Sequence, residues 1–274
     1  MDSHISGVVD FITLSKHLSS FELREMQHVH DRALAIASEA AEHGIKLLFD
    51  AEQTWVQPAI DNLVLNLQET FNDTSKSDFP VIFQTYQCYL KGALQRIEED
   101  VKRSQRMRYH FGAKLVRGAY MHSERQRAMD FHIASPIHDT IEDTHASYDG
   151  ALEFLLSLQH PRNQSMVEIM IATHNQKSVE KAVQLMIEKH IAKEKGKVHF
   201  AQLLGMSDNL SFPLGKEGYS VFKYVPYGKV EEAIPYLLRR AAENRDVLKS
   251  SNIGLQMNYK ELIRRLGSLF VQDK

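Results

Sequence analysis

Short apolar runs alternate with longer stretches of helical spacing along this chain, and that alternation restricts its fold more than any other feature. A first helix is predicted from Ser19 or Ser20. Ser19 followed by Glu22 has the capping-box spacing, and Leu23, Met26, Ala33, Ile36, Ala37 and Ala40 then recur at helical intervals until Gly44 supplies a stop. Strands are predicted at residues 45–49, 80–83, 113–116, 167–172, 198–203 and 221–225. Helices are predicted near 89–105, 144–157, 178–190 and 230–248, with irregular chain after the third strand and a shorter connection after the fifth. Strands separated by helices pair in parallel, because each parallel pair needs a crossover. Six βα units therefore define an α/β fold.

The chain has 274 residues, 43% of them hydrophobic. A single (β/α) barrel takes about 250 residues, so this length permits one. The polar segments 72–78 and 132–144 read as loops within one domain rather than as linkers. Lys and Arg number 33 against 35 Asp and Glu, which gives no whole-chain signal for nucleic acid or an acidic membrane surface. The one cysteine, Cys88, lies in an apolar-aromatic stretch and is expected to be a buried small hydrophobe. A lone cysteine excludes an intrachain disulfide and fits a reducing compartment. No apolar run reaches the roughly 18 residues of a membrane span. The start, Met1-Asp2-Ser3-His4, has neither signal-peptide nor transit-peptide character.

Functional groups of parallel α/β folds collect beyond the C-terminal ends of the strands. The predicted exits read Asp50-Ala51-Glu52-Gln53, Gln84-Thr85-Tyr86-Gln87, Arg117-Gly118-Ala119-Tyr120, Thr173-His174-Asn175, Leu203-Leu204-Gly205-Met206 and Pro226-Tyr227-Gly228. Each has a structural reading by itself: Asp50 as a helix cap, His174 as a satisfied core histidine, Gly118 and Gly205 as tight turns. Their convergence on one end of the sheet points to a site. In the last helix, Tyr236, Arg239, Arg240 and Glu243 fall on one broad face at three- and four-residue spacing. Two adjacent guanidinium groups suit a carboxylate ligand, and a solvated helix face with an ion pair is the alternative.

The fourteen histidines form no paired metal motif, since His28 and His30 do not share a helix face, so no metal site is expected. There is no Gly-x-Gly-x-x-Gly after a strand and no phosphate loop ending in Lys-Ser/Thr, which disfavours a Rossmann-type site.

Seven blocks in order, from Leu47–Thr54 through Phe83–Lys91, Phe111–Tyr120, Ala172–Asn175, Gln202–Met206 and Lys223–Gly228 to the Tyr236–Asn244 helix, resemble the flavin-dependent proline dehydrogenase family, particularly its animal mitochondrial branch. The resemblance implies a (β/α)8 TIM-like barrel that binds FAD and oxidises L-proline to Δ1-pyrroline-5-carboxylate. It implies electrons passed to quinone, peripheral association with the matrix side of the mitochondrial inner membrane, and no nucleic-acid partner. By motif matching, Arg239 and Arg240 hold the substrate carboxylate, Tyr120, Tyr224 and Tyr236 wall the pocket, Leu203 covers the ring, and Asp50 lies near flavin and substrate. Gln84, Lys114, Val116, Gly118, Ala119, Thr173, His174, Asn175, Gln202 and Glu243 match FAD-contacting positions. Lys114 departs from an Arg of bacterial relatives, keeping the charge and losing the two-pronged geometry.

The same resemblance divides the chain into a connecting segment, 1–18, and a barrel region, 19–274, holding strands three to eight and the substrate-clamping helix. The family's first two strands, and a flavin-side lysine on the second, have no counterpart; Lys16 and Lys46 are the nearest substitutes and are poorly placed. Hydroxyproline dehydrogenase is the related alternative, which the aromatic at Tyr224 argues against, and a truncated non-catalytic isoform is the alternative from another class.

Overall fold

The computed structural model describes residues 18–159, 165–193 and 197–243 with 259, 262 and 263; the side chains of 239 and 241–243 lie outside the described set. Helix α1 (Ser20–Glu42) opens on the expected capping box, with the Glu22 N–H donating to Ser19 Oγ and the Ser19 N–H donating to Glu22 Oε2. It is followed by β1 (Leu47–Phe49), α2 (Gln57–Phe71), β2 (Ile82–Gln87), α3 (Ala93–Met107), β3 (Phe111–Val116), α4 (Met121–Asp130) and α5 (Ile141–Ser157). Then come β4 (Val167–Ala172), α6 (Gln176–Glu188), β5 (Val198–Leu203), α7 (Asp208–Lys216), β6 (Val221–Tyr224) and α8 (Val230–Glu243).

All six strands are parallel, and their order in the sheet is their order in the chain. A doubly wound sheet reverses its direction at a switch point, whereas a barrel adds each strand beside the last. The winding here is the barrel's. The sheet is also strongly curled: Lys46, just before β1, forms an ion pair with Glu168 on β4. Three strand spacings amount to about 14 Å on a flat sheet, more than these two side chains would span.

Register divides the sheet into two faces. Gln84 and Tyr86 lie beside Ala113 and Leu115, while Thr85 and Gln87 lie beside Lys114 and Val116. The first set faces the helices, where Tyr86, Ala113 and Leu115 join Ile97, Tyr148, Leu152, Ile169 and Phe200 in the main core. Each large side chain buried there contributes about 1.5–3 kcal/mol relative to exposure. The second set faces the concave side. Cys88 lies in the same core with no exposure, and burial pushes its thiol up to about 12, so it is the hydrophobe expected and no nucleophile.

Several boundaries differ from expectation. β2 runs four residues past Phe83, because Gln84, Thr85, Tyr86 and Gln87 are all paired in the ladder with β3. Their polarity mimicked a loop, yet each side chain has a hydrogen-bond partner inside the fold. α3 accordingly starts at Ala93 and not at residue 89. Helices α2, α4 and α7 occupy segments not read as helical, and α5 begins at Ile141, capped by Thr140 Oγ1, which accepts from the Asp143 N–H at 3.0 Å. Lys46 is no substitute for a flavin-side lysine: it sits at the N-terminal end of the concave face, bound to Glu168, whose Oε1 is 2.7 Å from His199 Nε2. Lys16 lies outside the described residues.

Candidate active site

At the C-terminal ends of the strands, five segments meet around the concave mouth. Asp50, one residue past β1, forms an ion pair with Lys114 on β3, a concave-face side chain. Tyr120 closes the β3 exit as the residue before α4. Burial, then a hydrogen bond to Glu52, pushes its hydroxyl up to about 12. From the other side, Tyr236 on α8 packs on Tyr224 at the end of β6, with ring centroids 5.8 Å apart. Burial and then Tyr224 push the Tyr236 hydroxyl to about 12 as well. Both phenols are therefore neutral hydrogen-bonding groups near pH 7 and not bases.

Arg240 completes the mouth, its guanidinium carbon 5.4 Å from the Tyr236 ring centroid. Tyr120 and Tyr236 each feel the charges of both Arg240 and Asp50. Arg240 thus stands with two carboxylates, Glu52 and the Lys114-paired Asp50, around these tyrosines. Leu203, the last residue of β5, stands in register with Tyr224 on the same face. The structure brings Asp50, Lys114, Tyr120, Leu203, Tyr224, Tyr236 and Arg240 to this end of the sheet; the Arg239 and Glu243 side chains lie outside the described residues.

The β3 and β4 exits are joined by Arg117. Its guanidinium donates to Thr173 Oγ1 at 2.8 Å, Ser178 Oγ at 3.0 Å and His145 Nδ1 at 3.0 Å, and lies 4.3 Å over the Tyr148 ring. Thr173 is held in place by this contact. His174 Nδ1 lies 2.9 Å from Ser207 Oγ, and burial followed by the Lys223 charge lowers its pKa, which favours the neutral ring. Asn175 caps α6 by accepting from the Ser178 N–H, so its side-chain oxygen is engaged in structure. Val116 lies on the concave face, and Gly118 and Ala119 form the turn above it. Gly118 has φ +136°, and a Cβ there would fall 2.5 Å from the Tyr89 ring.

Two expected cofactor contacts point the wrong way. Gln84 faces the helical layer, where its amide donates to Asp61 on α2. Gln202 likewise faces α7 and accepts from Ser211 Oγ at 2.8 Å. Strand periodicity of two decides both cases. Gln87 takes the concave position instead, donating to the Glu52 carbonyl at 2.7 Å. Counting by twos from Gln87 back along β2 would have found it, had the strand been read to its end. Glu52 is the other residue missed; its position two past Asp50 was the available signal.

The concave surface has room for a flat, electron-accepting ring system. Ala172 and Ala201 are neighbours in register between Met170 and Leu203, so small side chains leave space against the sheet, with Lys114 on the strand adjacent to Ala172, in register with Met170. Among the described residues, no group of three His, Cys, Asp or Glu side chains could hold a metal ion, and no helix is long and apolar enough to cross a membrane.

These features define an α/β chain of barrel winding with a bipolar, tyrosine-lined site at its strand ends. A family model for proline dehydrogenase matches residues 4–252. The chain is 44% identical over 255 residues to the mitochondrial proline dehydrogenase 1 of Caenorhabditis elegans, covering 93% of this chain and 41% of that protein. It is 43% identical over 259 residues to the human protein of the same name, covering 94% of this chain and 42% of the relative. It belongs to the proline dehydrogenase family. The chain spans about two-fifths of the length of these relatives. In fold it matches proline utilization A of Bdellovibrio bacteriovorus with a TM-score of 0.71 at 22% identity, over 81% of this chain and 22% of that one.

Proposed function

We propose that this chain carries the substrate end of a mitochondrial FAD-dependent proline dehydrogenase, which oxidises L-proline to Δ1-pyrroline-5-carboxylate and passes the electrons to quinone at the inner membrane. The observation that supports this reading is the bipolar mouth. Proline is a zwitterion, and Arg240 offers a cation opposite an acidic side made by Glu52 and the Lys114-paired Asp50 around Tyr120. Arg240, with Arg239 beside it in sequence, holds the carboxylate, and the acidic side at Asp50 and Glu52 attracts the ring ammonium. Tyr120, Tyr224, Tyr236 and Leu203 exclude water from the ring, which strengthens both charge contacts.

The flavin, when bound, supplies the hydride acceptor for a two-electron oxidation. Lys114, Gln87, Val116, Gly118, Ala119, Thr173 and His174 are the residues of this chain that would hold it. The product's N=C bond forms as the ring carbon beside nitrogen loses hydride and nitrogen loses its proton. Clamping the carboxylate fixes that carbon's orientation, which is where positioning lowers the barrier. The barrel region 19–274 supplies strands three to eight of an eight-stranded closure, with β1 and β6 as the sites where the first two strands would join.

The test is purification with FAD, measurement of the flavin's visible absorbance, and turnover of L-proline with a soluble quinone. Arg240→Met should raise KM for L-proline about 30- to 100-fold, the loss of a charge-assisted hydrogen bond. An unchanged KM would reject the reading. Preference for trans-4-hydroxyproline by the native chain, with no shift in Tyr224→Ser, would assign it to hydroxyproline instead. A colourless chain that binds no added FAD, even when supplied with the family's first two strands, would favour a non-catalytic role.

A further inference from the structure

The loop that follows β1 carries both carboxylates of the mouth, and one side chain outside the mouth grips it. Thr54, four residues past Asp50, donates its backbone N–H to Glu124 Oε1 at 2.6 Å and its hydroxyl to Glu124 Oε2 at 2.7 Å. Glu124 is 1% exposed and lies in the first turn of α4. Its own N–H donates to the Tyr120 carbonyl at 3.0 Å. A single residue is thus tied to the backbone of Tyr120 on one side and to the Asp50–Glu52 loop on the other.

A second contact repeats the arrangement one turn along. Trp55, the next residue of the loop, lies under the guanidinium of Arg127, whose central carbon is 4.7 Å from the indole centroid. Arg127 is three residues after Glu124 and shares its helix face. Consecutive loop residues are clamped to consecutive turns of α4. The far end of the loop is held as well: the Glu52 N–H donates to Gln57 Oε1, and Gln87 donates to the Glu52 carbonyl, both at 2.7 Å. Burying a carboxylate is costly, and an apolar pair would glue loop to helix at lower cost. What two charge-assisted hydrogen bonds add is fixed distance and direction.

We infer that Glu124 is a positioning residue: through Thr54 it sets the Glu52 and Asp50 carboxylates against the Tyr120 hydroxyl, and thereby tunes substrate binding at a mouth its side chain does not line. Its kinetic consequence rests on the proposed function, whereas its structural consequence is readable without it. Trp55 is the single tryptophan of the chain, so tryptophan emission reports on the clamped loop alone.

The experiment uses the full chain with FAD and compares Glu124→Ala, Thr54→Val and Thr54→Ser. In Glu124→Ala and Thr54→Val, acrylamide quenching of Trp55 should rise and the thermal midpoint should fall by a few degrees, while visible flavin absorbance stays near that of the parent. KM for L-proline should rise about tenfold, the scale expected of a sub-ångström misplacement, with kcat within about twofold. Thr54→Ser keeps both donors and should restore the parent's quenching and KM. Unchanged quenching and KM in the first two variants would overturn the inference. So would a joint fall of thermal midpoint, flavin absorbance and turnover that Thr54→Ser shares, which is the pattern of a purely structural contact. If the parent turns over no proline, the functional reading fails, and quenching alone decides whether Glu124 holds the loop.

Discussion

Gly118 illustrates how narrowly single residues constrain the mouth. Its φ of +136° is open to glycine, and any Cβ would overlap the Tyr89 ring. Gly118→Ala is expected to cost about 2–4 kcal/mol, the sum of backbone strain and overpacking, measured as a lowered urea midpoint with an unchanged slope. At this scale the sequence was informative where chemistry and position coincide. Asp50, Tyr120 and Arg240 stand beside turns or on a strongly patterned helix, and all three arrive at the mouth. Gln84 and Gln202 carry the same chemistry on the wrong parity, and a polar residue does not announce which face of a buried strand it takes. Glu124 gave no signal at all, because its role depends on Thr54, 70 residues away in the chain.

Elements were legible in proportion to the apolarity of their buried faces. β4 and β5 match their expected limits because Val167, Ile169 and Ile171 on one strand and Val198 and Phe200 on the other alternate toward the core. α2 escaped notice because it starts at Gln57-Pro58 without a side-chain cap and buries Gln57 and Gln68 along with its apolar residues. α4 buries Glu124 and Ala128, which leaves no apolar stripe to read. The packing of α3 on β2 also contains a polar contact with a pH signature. Tyr86 on β2 donates its hydroxyl to Asp100 on α3 at 2.8 Å. Burial, opposed by Arg96, raises the Asp100 carboxyl from 3.8 to about 6. The folded state then binds more protons than the unfolded one between about pH 4 and 6, so Asp100 lowers stability progressively across that window and most above it. Asp100→Asn is expected to gain on the parent by on the order of 2–3 kcal/mol between pH 4 and pH 7, read from urea denaturation at both. A gap that stays constant with pH would show that Asp100 does not titrate there.

Over the whole molecule, the order of the strands follows from the alternation of elements, whereas the curl depends on contacts between distant segments. Among the described residues, β1 pairs with β2 alone and β6 with β5 alone. The three-residue β1 gains a second hold through Lys46, which reaches Glu168 on β4. Burial alone would raise the Glu168 carboxyl, yet hydrogen bonds from His199 and Lys46 lower it overall. Lys46→Met leaves that carboxylate buried with one partner fewer and is expected to cost about 3 kcal/mol. Hydrogen exchange should quicken first at the β1 amides, and Lys46→Arg should restore most of the protection. Exchange that quickens uniformly would indicate that the pair does not hold the edge strand.

The single cysteine is sealed in the core between the sheet and its helices, with its thiol far from the thiolate form. Alkylating reagents therefore meet a native chain that is chemically silent. A cysteine placed at Tyr227, 95% exposed beside the mouth, would take a fluorophore or spin label while the natural thiol stays in place. The rate at which Cys88 itself reacts becomes a clock for opening of the core, counted in molecules that have passed through an unfolded state rather than in any motion of the mouth.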